Sequence, residues 1–381
     1  MYLFAVLFSC LALLGLVYQG AALAALWCFC RRPLPQPSGG DLPGITVLKP
    51  LRGVSPETEA CLASFFQQDY PRFQILFGVA AADDPVVGLV AALADRFPHV
   101  EVELVQCPQK MGLNPKVSTL RQLLPRATQE LLVISDSDVW APPDLLANLG
   151  AALQEGGVGL TSCLYKAGPL AALGSALEAL AISADFIPSV AVAHYLEGVS
   201  FALGAVMAVR REALGQMGGL AAIADYLADD YQLGRRIHQA GWRVTLLPLV
   251  VSTCQPHTSF TGFLSHQLRW ARTYRVCRPR GFFGFGITFV LTWSLLAWWL
   301  SGWSLWGWVL LGCGLAGRTA VAWGAARLLE QEGRLGKMVS LLPLKDMLSF
   351  IIWLLSFLGD QVVWQGRRYR VKVDGRLEEI V

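Results

Sequence analysis

Two kinds of hydrophobic pattern divide the chain. Residues 1–30 carry no charge, and Arg31-Arg32 follows at once. A run that long crosses a bilayer as one helix, and a basic pair marks its inner end. A cleaved signal peptide would need a basic start and a shorter apolar run, so 1–30 reads as an uncleaved transmembrane anchor. Residues 31–43, with Pro33, Pro35, Pro37, Pro43 and Gly39-Gly40, read as a linker. From 44 to 255 short apolar runs alternate with helical periods. Strands are expected at 45–48, 74–79, 100–105, 131–135, 158–163 and 201–209. Helices are expected at 57–67, 86–97, 116–124, 143–154 and 170–186. Such alternation builds a largely parallel sheet covered by helices on both faces, a single α/β domain.

Past that domain the pattern changes again. Residues 256–280 read as interfacial helices. Arg269, Arg272, Arg275, Arg278 and Arg280 fall on one stripe with Trp270 and Tyr274 among them, which suits an anionic lipid surface. Residues 281–325 read as a transmembrane helix pair, about 282–300 and 303–325, turning at Ser301-Gly302. Six of the 13 tryptophans lie between Trp293 and Trp308, where an interfacial belt is expected. The segment 326–366 contains a last apolar stretch, 348–364, that either spans or re-enters. A full span would export the basic tail 367–381 against the positive-inside tendency and bury Asp360.

Composition narrows the classes. An apolar fraction of 54% with only 15% charged residues fits a membrane protein. A net charge of +3 is too small to argue for nucleic acid, and the polar part of the chain carries no basic patch interleaved with aromatics of the single-strand-binding kind. Nine cysteines, an odd number with no C-x-x-C pair, argue against a disulfide framework or a zinc site. Most are expected to be small buried apolar residues.

Chemistry gathers at strand ends. The run Leu131-Leu132-Val133-Ile134 stops on Ser135-Asp136-Ser137-Asp138. Ligands of open α/β sheets bind beyond the carboxyl ends of strands. Two carboxylates there suit Mg²⁺ or Mn²⁺ carrying a diphosphate; a turn with a helix cap is the bland alternative. Asp83-Asp84-Pro85 follows the second strand, where Asp84 could accept from a ribose or a base, or simply cap a helix. Gly112-Leu113-Asn114-Pro115-Lys116 opens a helix, so amides and one lysine could face a diphosphate, or form an ordinary turn and cap. Asp229-Asp230 begins another helix, as dipole partners or as the place for a general base. His266-Gln267-Leu268-Arg269-Trp270 stands at the membrane entrance, where an arginine and an indole could stabilise a departing diphosphate.

The order Asp84, Asp136, Asp230 and His266-x-x-Arg269-Trp270 behind an N-terminal anchor resembles the ceramide glucosyltransferase-like family, glycosyltransferase family 21. Leu48-Lys49-Pro50-Leu51-Arg52-Gly53, Phe65-Phe66-Gln67-Gln68-Asp69-Tyr70-Pro71 and Asn114-Pro115-Lys116 extend the resemblance over the whole chain. It implies a cytosolic GT-A domain, Rossmann-like, on transmembrane helices. Lys49, Asp84, Asn114, Lys116 and Asp136 would bind a UDP-sugar donor, and Asp136 with Asp138 would hold the metal. Asp230 would be the base, with His266, Arg269 and Trp270 completing the catalytic pocket. His266 departs from the family's usual glutamine or arginine. The His266-x-x-Arg-Trp-Ala-Arg-Thr form looks most like the bacterial hopanoid-associated members, implying N-acetylglucosamine transfer to bacteriohopanetetrol at a bacterial inner membrane. Ceramide glucosylation is the alternative acceptor reading. A processive polysaccharide synthase would need more spans, and a catalytically inactive scaffold would have no use for four carboxylates at strand ends.

Overall fold

The computed structural model describes residues 1–36, 42–168, 172–254, 258–331 and 338–380. Four parallel strands form half of the central sheet: β1 (Ile45–Leu51), β2 (Phe73–Val79), β3 (Glu101–Gln106) and β4 (Leu131–Ser135). Three of them are nearly continuous apolar runs buried on both faces. β3 carries Glu101 and Glu103 and closes the sheet as a charged edge. The other half mixes directions. β5 (Val139–Trp140) is short, β6 (Val158–Gly168) and β8 (Arg243–Cys254) run parallel, and β7 (Val206–Arg210) joins β4 and β6 antiparallel. The order is β3-β2-β1-β4-β7-β6-β8-β5. Strand order reverses between β1 and β4, which places a crevice at their carboxyl ends. The helices α2 (Thr58–Phe66), α3 (Val86–Arg96), α4 (Pro115–Leu123) and α5 (Leu145–Gln154) cover the sheet in two apolar layers.

Three departures from the sequence pattern have local causes. The expected strand 201–209 is only β7, because 202–205 leave the sheet. Ala205 there accepts the Asp136 amide at 3.1 Å, and the Leu203 amide donates to Ser162 at 3.2 Å. β8 was hidden by Pro248, which cannot donate to a ladder. Its pairing with β6 slips between Cys163 and Leu164, opposite Leu247 and Val250, so Pro248 sits in the irregularity. The expected helix 170–186 is α6 (Leu173–Ala181), which then widens into a π turn at Ile182–Phe186 and continues as α7 (Ile187–Glu197). The remaining helices over the second half of the sheet are α8 (Arg211–Gln216) and α9 (Asp229–Gln239).

Three described helices are long and apolar enough to cross a membrane: α1 (Tyr2–Cys30), the 173–197 run, and α13 (Leu305–Leu328). Most of the 173–197 run is buried inside the protein. α1 turns Ala5, Ser9, Ala12, Gly15, Gln19 and Ala22 inward, a stripe of mostly small residues that lets neighbouring helices approach. At Gly15 an added Cβ would meet Val290 Cγ2 at 2.6 Å and the Ile287 carbonyl oxygen at 2.7 Å.

The expected helix 282–300 is broken. α10 (Phe260–Cys277) leads into α11 (Pro279–Gly284), and a 54° bend separates Pro279–Thr288 from α12 (Val290–Leu300). Two indoles satisfy backbone freed there: Trp293 donates to the Gly286 carbonyl at 2.8 Å and Trp353 to Phe282 at 3.0 Å.

The 348–364 stretch is not one apolar helix. It divides into α14 (Leu342–Ser356) and a strand, β9 (Gln361–Trp364). The basic tail is folded too: β9, β10 (Arg367–Val371) and β11 (Leu377–Glu379) form an antiparallel sheet. The α10 arginines serve this sheet and its neighbours rather than lipid alone. Arg272 donates to the Gln361 carbonyl and Arg275 to Gly359 at 2.9 Å, while Arg278, one residue past α10, pairs with Glu197 of α7. Among the cysteines only Cys61, Cys107 and Cys163 are buried; none of the nine forms a disulfide, and Cys10, Cys28 and Cys313 are exposed.

Candidate active site

A cavity of about 1370 Å³ opens at the β1/β4 crevice and continues to the membrane-side helices. At its strand end lie Asp84, Asp136, Asp138 and Asp230. At its far end lie Phe282, Phe285, Ile352 and Trp353. Ordinary small-molecule pockets occupy roughly 300–1,000 Å³, so this volume exceeds one such ligand.

Asp136 and Asp138 follow β4 directly, and the Asp136 amide is held by Ala205. The Asp138 carbonyl accepts the Cys254 amide at 2.6 Å, which ties the acidic turn to the end of β8. Burial, then the neighbouring Asp136, pushes the Asp138 carboxyl up to about 6. Lys116 Nζ lies 2.6 Å from Asp136 Oδ1 and 3.4 Å from Asp229 Oδ2. Burial opposes its charge, but Asp136 and Asp229 outweigh it and hold the lysine cationic.

Asp230 opens α9, where Oδ1 accepts from the Tyr231 amide at 2.7 Å. Burial, then the adjacent Asp229, raises its carboxyl to about 7. Gly204 makes room for it: a Cβ there would approach Asp230 Oδ2 to 2.8 Å. Gly204→Ala is expected to lower kcat about a hundredfold by displacing this carboxylate, with the thermal transition nearly kept. Unchanged turnover in that variant would show the carboxylate position to be unimportant.

α10 supplies the opposite wall. His266 Nδ1 meets Glu178, and its ring lies edge-on to Trp270 at 4.9 Å. Trp270 packs on Phe186 of the π turn, centroids 5.7 Å apart. Arg269 faces the same cavity, and burial lowers its pKa to about 10 against the pull of Glu178 and Asp230. All three of these residues line the cavity with Asp136 and Asp230.

Two expected donor ligands are placed elsewhere. Lys49 is fully buried beneath the site, donating to the Asp136 carbonyl at 2.8 Å and to Ser135 at 3.2 Å, over the Phe65 ring at 3.7 Å. Burial lowers its pKa to about 7. It fixes the acidic turn and does not line the cavity. Asn114 is also fully buried. It caps α4 through the Val117 amide at 3.1 Å and donates to Tyr226 at 2.8 Å and Asp229 at 3.3 Å. It joins the start of α4 to the start of α9. Asp84 lines the cavity, yet both its oxygens accept from the Gly53 amide at 2.9–3.0 Å, and one also caps α3 at Val86. The cap and the clamp on the 52–54 loop are both real.

Sequence reasoning missed Glu178 and Asp185. Each is a lone acid inside the otherwise apolar 173–187 run, and buried charges in such a run call for partners. Glu178 finds His266, and Asp185 lines the cavity beside Phe186.

The mixed sheet with an acidic turn at its switch point defines a GT-A glycosyltransferase. A mannosyltransferase from Pyrobaculum calidifontis, solved with GDP-Man and Mn²⁺, shares the fold with a TM-score of 0.56 and 23% identity, over 92% of this chain and 99% of that one. Residues 7–377 match the model of glycosyl transferase family 21, and the chain belongs to that family. A ceramide glucosyltransferase of Komagataella phaffii is 38% identical over 114 residues, 29% of this chain and 22% of its own length. Ceramide glucosyltransferase 1 of Caenorhabditis elegans is 24% identical over 278 residues, 70% of this chain and 58% of its own length. The chain thus spans less than two thirds of either relative.

Proposed function

We propose that the enzyme transfers a sugar from a UDP-sugar to a lipid hydroxyl with inversion, at the cytosolic face of a bacterial inner membrane. One observation carries this reading: a single cavity joins the acidic strand ends to an apolar, aromatic wall on the membrane-side helices. The polar end suits a nucleotide diphosphate, and the apolar end suits a chain-bearing acceptor.

The residues fit a divalent metal brought with the donor. Asp136 and Asp138 offer two hard carboxylates, and no group of three or more metal-binding side chains occurs among the described residues. Mg²⁺ commonly binds one or two carboxylates and completes its shell with substrate phosphates. Bound there, Mg²⁺ or Mn²⁺ would neutralise charge on the diphosphate. Lys116 and Arg269 add cationic charge from the protein side. Asp230 takes the proton from the acceptor hydroxyl as its oxygen attacks the anomeric carbon, and the sugar–phosphate bond breaks. A carboxyl near 7 is well matched to that task at neutral pH. UDP binding by the purified protein is expected to require Mg²⁺ or Mn²⁺ and to vanish with EDTA. Metal-independent binding of equal strength would remove Asp136 and Asp138 from the metal role.

The preferred pair is UDP-N-acetylglucosamine with bacteriohopanetetrol, on the form of the His266–Thr273 motif. The ceramide glucosyltransferase relatives favour a second pair, UDP-glucose with ceramide. Detergent-purified protein would be offered each donor with ceramide, diacylglycerol and bacteriohopanetetrol, and products read by mass. An N-acetylhexosamine adduct on the hopanoid supports the first pair, and a hexose on ceramide supports the second. No product together with no UDP binding would overturn the enzyme reading for this chain.

A further inference from the structure

The carboxy-terminal sheet is built against the donor end of the cavity. Its core of Val362, Tyr369, Val371 and Leu377 packs on Leu227 and Leu113, next to the acidic start of α9. The Leu377 amide donates to the Asp225 carbonyl at 2.7 Å, and Asp360 accepts from Val371 at 2.8 Å. Gln365 and Arg367 reach the cavity lining from the β9–β10 hairpin.

Its turn is unusual. Gln365 has φ +50° and Gly366 φ +81°, the two left-handed positions of a tight two-residue hairpin turn. Glycine, asparagine or aspartate normally takes the first of these, so a glutamine there stores strain. Its side chain accepts from Arg52 Nη1 at 2.9 Å, on the loop that Asp84 clamps at Gly53. Three cations from three segments therefore line one end of the cavity: Arg52, Lys110 and Arg367. Glu379 of β11 pairs with two of them, Lys110 and Arg367, each at 2.8 Å. These cations hold the Glu379 carboxyl below its usual range.

We propose that this sheet is a wall of the donor site, in which Arg367 and Gln365 act with Arg52 and Lys110 to bind the nucleoside diphosphate. Glu379 is then a built-in competitor that holds Lys110 and Arg367 in place and yields them to an incoming phosphate. The inference rests on the nucleotide-donor reading above. It assigns opposite signs to two contacts on one sheet, which a purely structural role would not.

The test is UDP titration of the full-length protein in detergent with Mn²⁺, by calorimetry, at low and moderate salt. Arg367→Ala is expected to weaken UDP about tenfold, equivalent to ~1.4 kcal/mol. Glu379→Gln, which keeps the shape and removes the charge, is expected to tighten it several-fold, most clearly at low salt. Gln365→Gly is expected to weaken UDP while leaving thermal stability unchanged or higher, since glycine relieves the strained turn. The proposal is overturned if Arg367→Ala leaves UDP affinity unchanged, or if Glu379→Gln weakens it as Arg367→Ala does. Wild-type protein that binds no UDP would bring down the donor reading itself, and this proposal with it.

Discussion

Asp230→Asn is expected to lower kcat by about 10²–10⁴-fold, the usual contribution of a positioned general base, with UDP affinity within a few-fold of wild type. The amide keeps the size and the acceptor oxygen that meets the Tyr231 amide. It cannot take a proton. The pH profile supplies an independent reading of the same group. Burial and Asp229 raise Asp230 to about 7, so the reactive carboxylate is lost as pH falls through that value. Wild-type kcat/KM should therefore rise with pH up to about 7 and flatten above it. The residual rate of the Asn variant should lack that acid limb. Turnover within tenfold of wild type, or an unshifted acid limb, would remove Asp230 as the base.

The acidic set was legible because strands buried on both faces are apolar until they stop, so Asp136 and Asp138 mark a strand end in the sequence itself. The same holds for Asp230 at a helix start. What these residues do not disclose is who faces the cavity. Lys49 and Asn114 belong to motifs of the site, but both are spent inside the protein, one beneath the β4 turn and the other between two helix starts. Spacing cannot separate a ligand from the residue that holds the ligand. Periodicity also missed β8, since a proline accommodated by an irregular register looks like a strand breaker. The terminal sheet was hidden by its charge: three arginines in the four residues 367–370 look solvated, and only the packing of Tyr369 and Val371 under the hairpin shows them to be a folded edge.

Arg318→Met is expected to destabilise the protein by about 3–5 kcal/mol, the cost of stranding the partners of a buried charge. Arg318 lies in α13, 3% exposed. It donates to Asp346 at 2.7 and 2.8 Å and to Asp185 at 2.7 Å, while Lys345 pairs with both acids. Two cations thus balance two carboxylates inside an apolar helical packing, and Gln19 of α1 joins at 3.3 Å. The single change leaves two acids and one lysine. Removing Arg318 and Asp346 together leaves Lys345 with Asp185, a neutral pair. The double variant Arg318→Met/Asp346→Leu should therefore unfold at a higher temperature than Arg318→Met alone. The network also reaches the chemistry. Arg318 donates to the Ala184 carbonyl at 3.2 Å, inside the π turn whose Phe186 packs on Trp270. Loosening that turn should raise KM for the proposed lipid acceptor more than KM for the donor, because Asp185 and Phe186 line the cavity together with Trp270 and with Phe282 and Trp353 of the membrane-side helices. A single variant that loses less than about 1 kcal/mol, or a double variant less stable than the single, would show that the four charges are not balanced against one another.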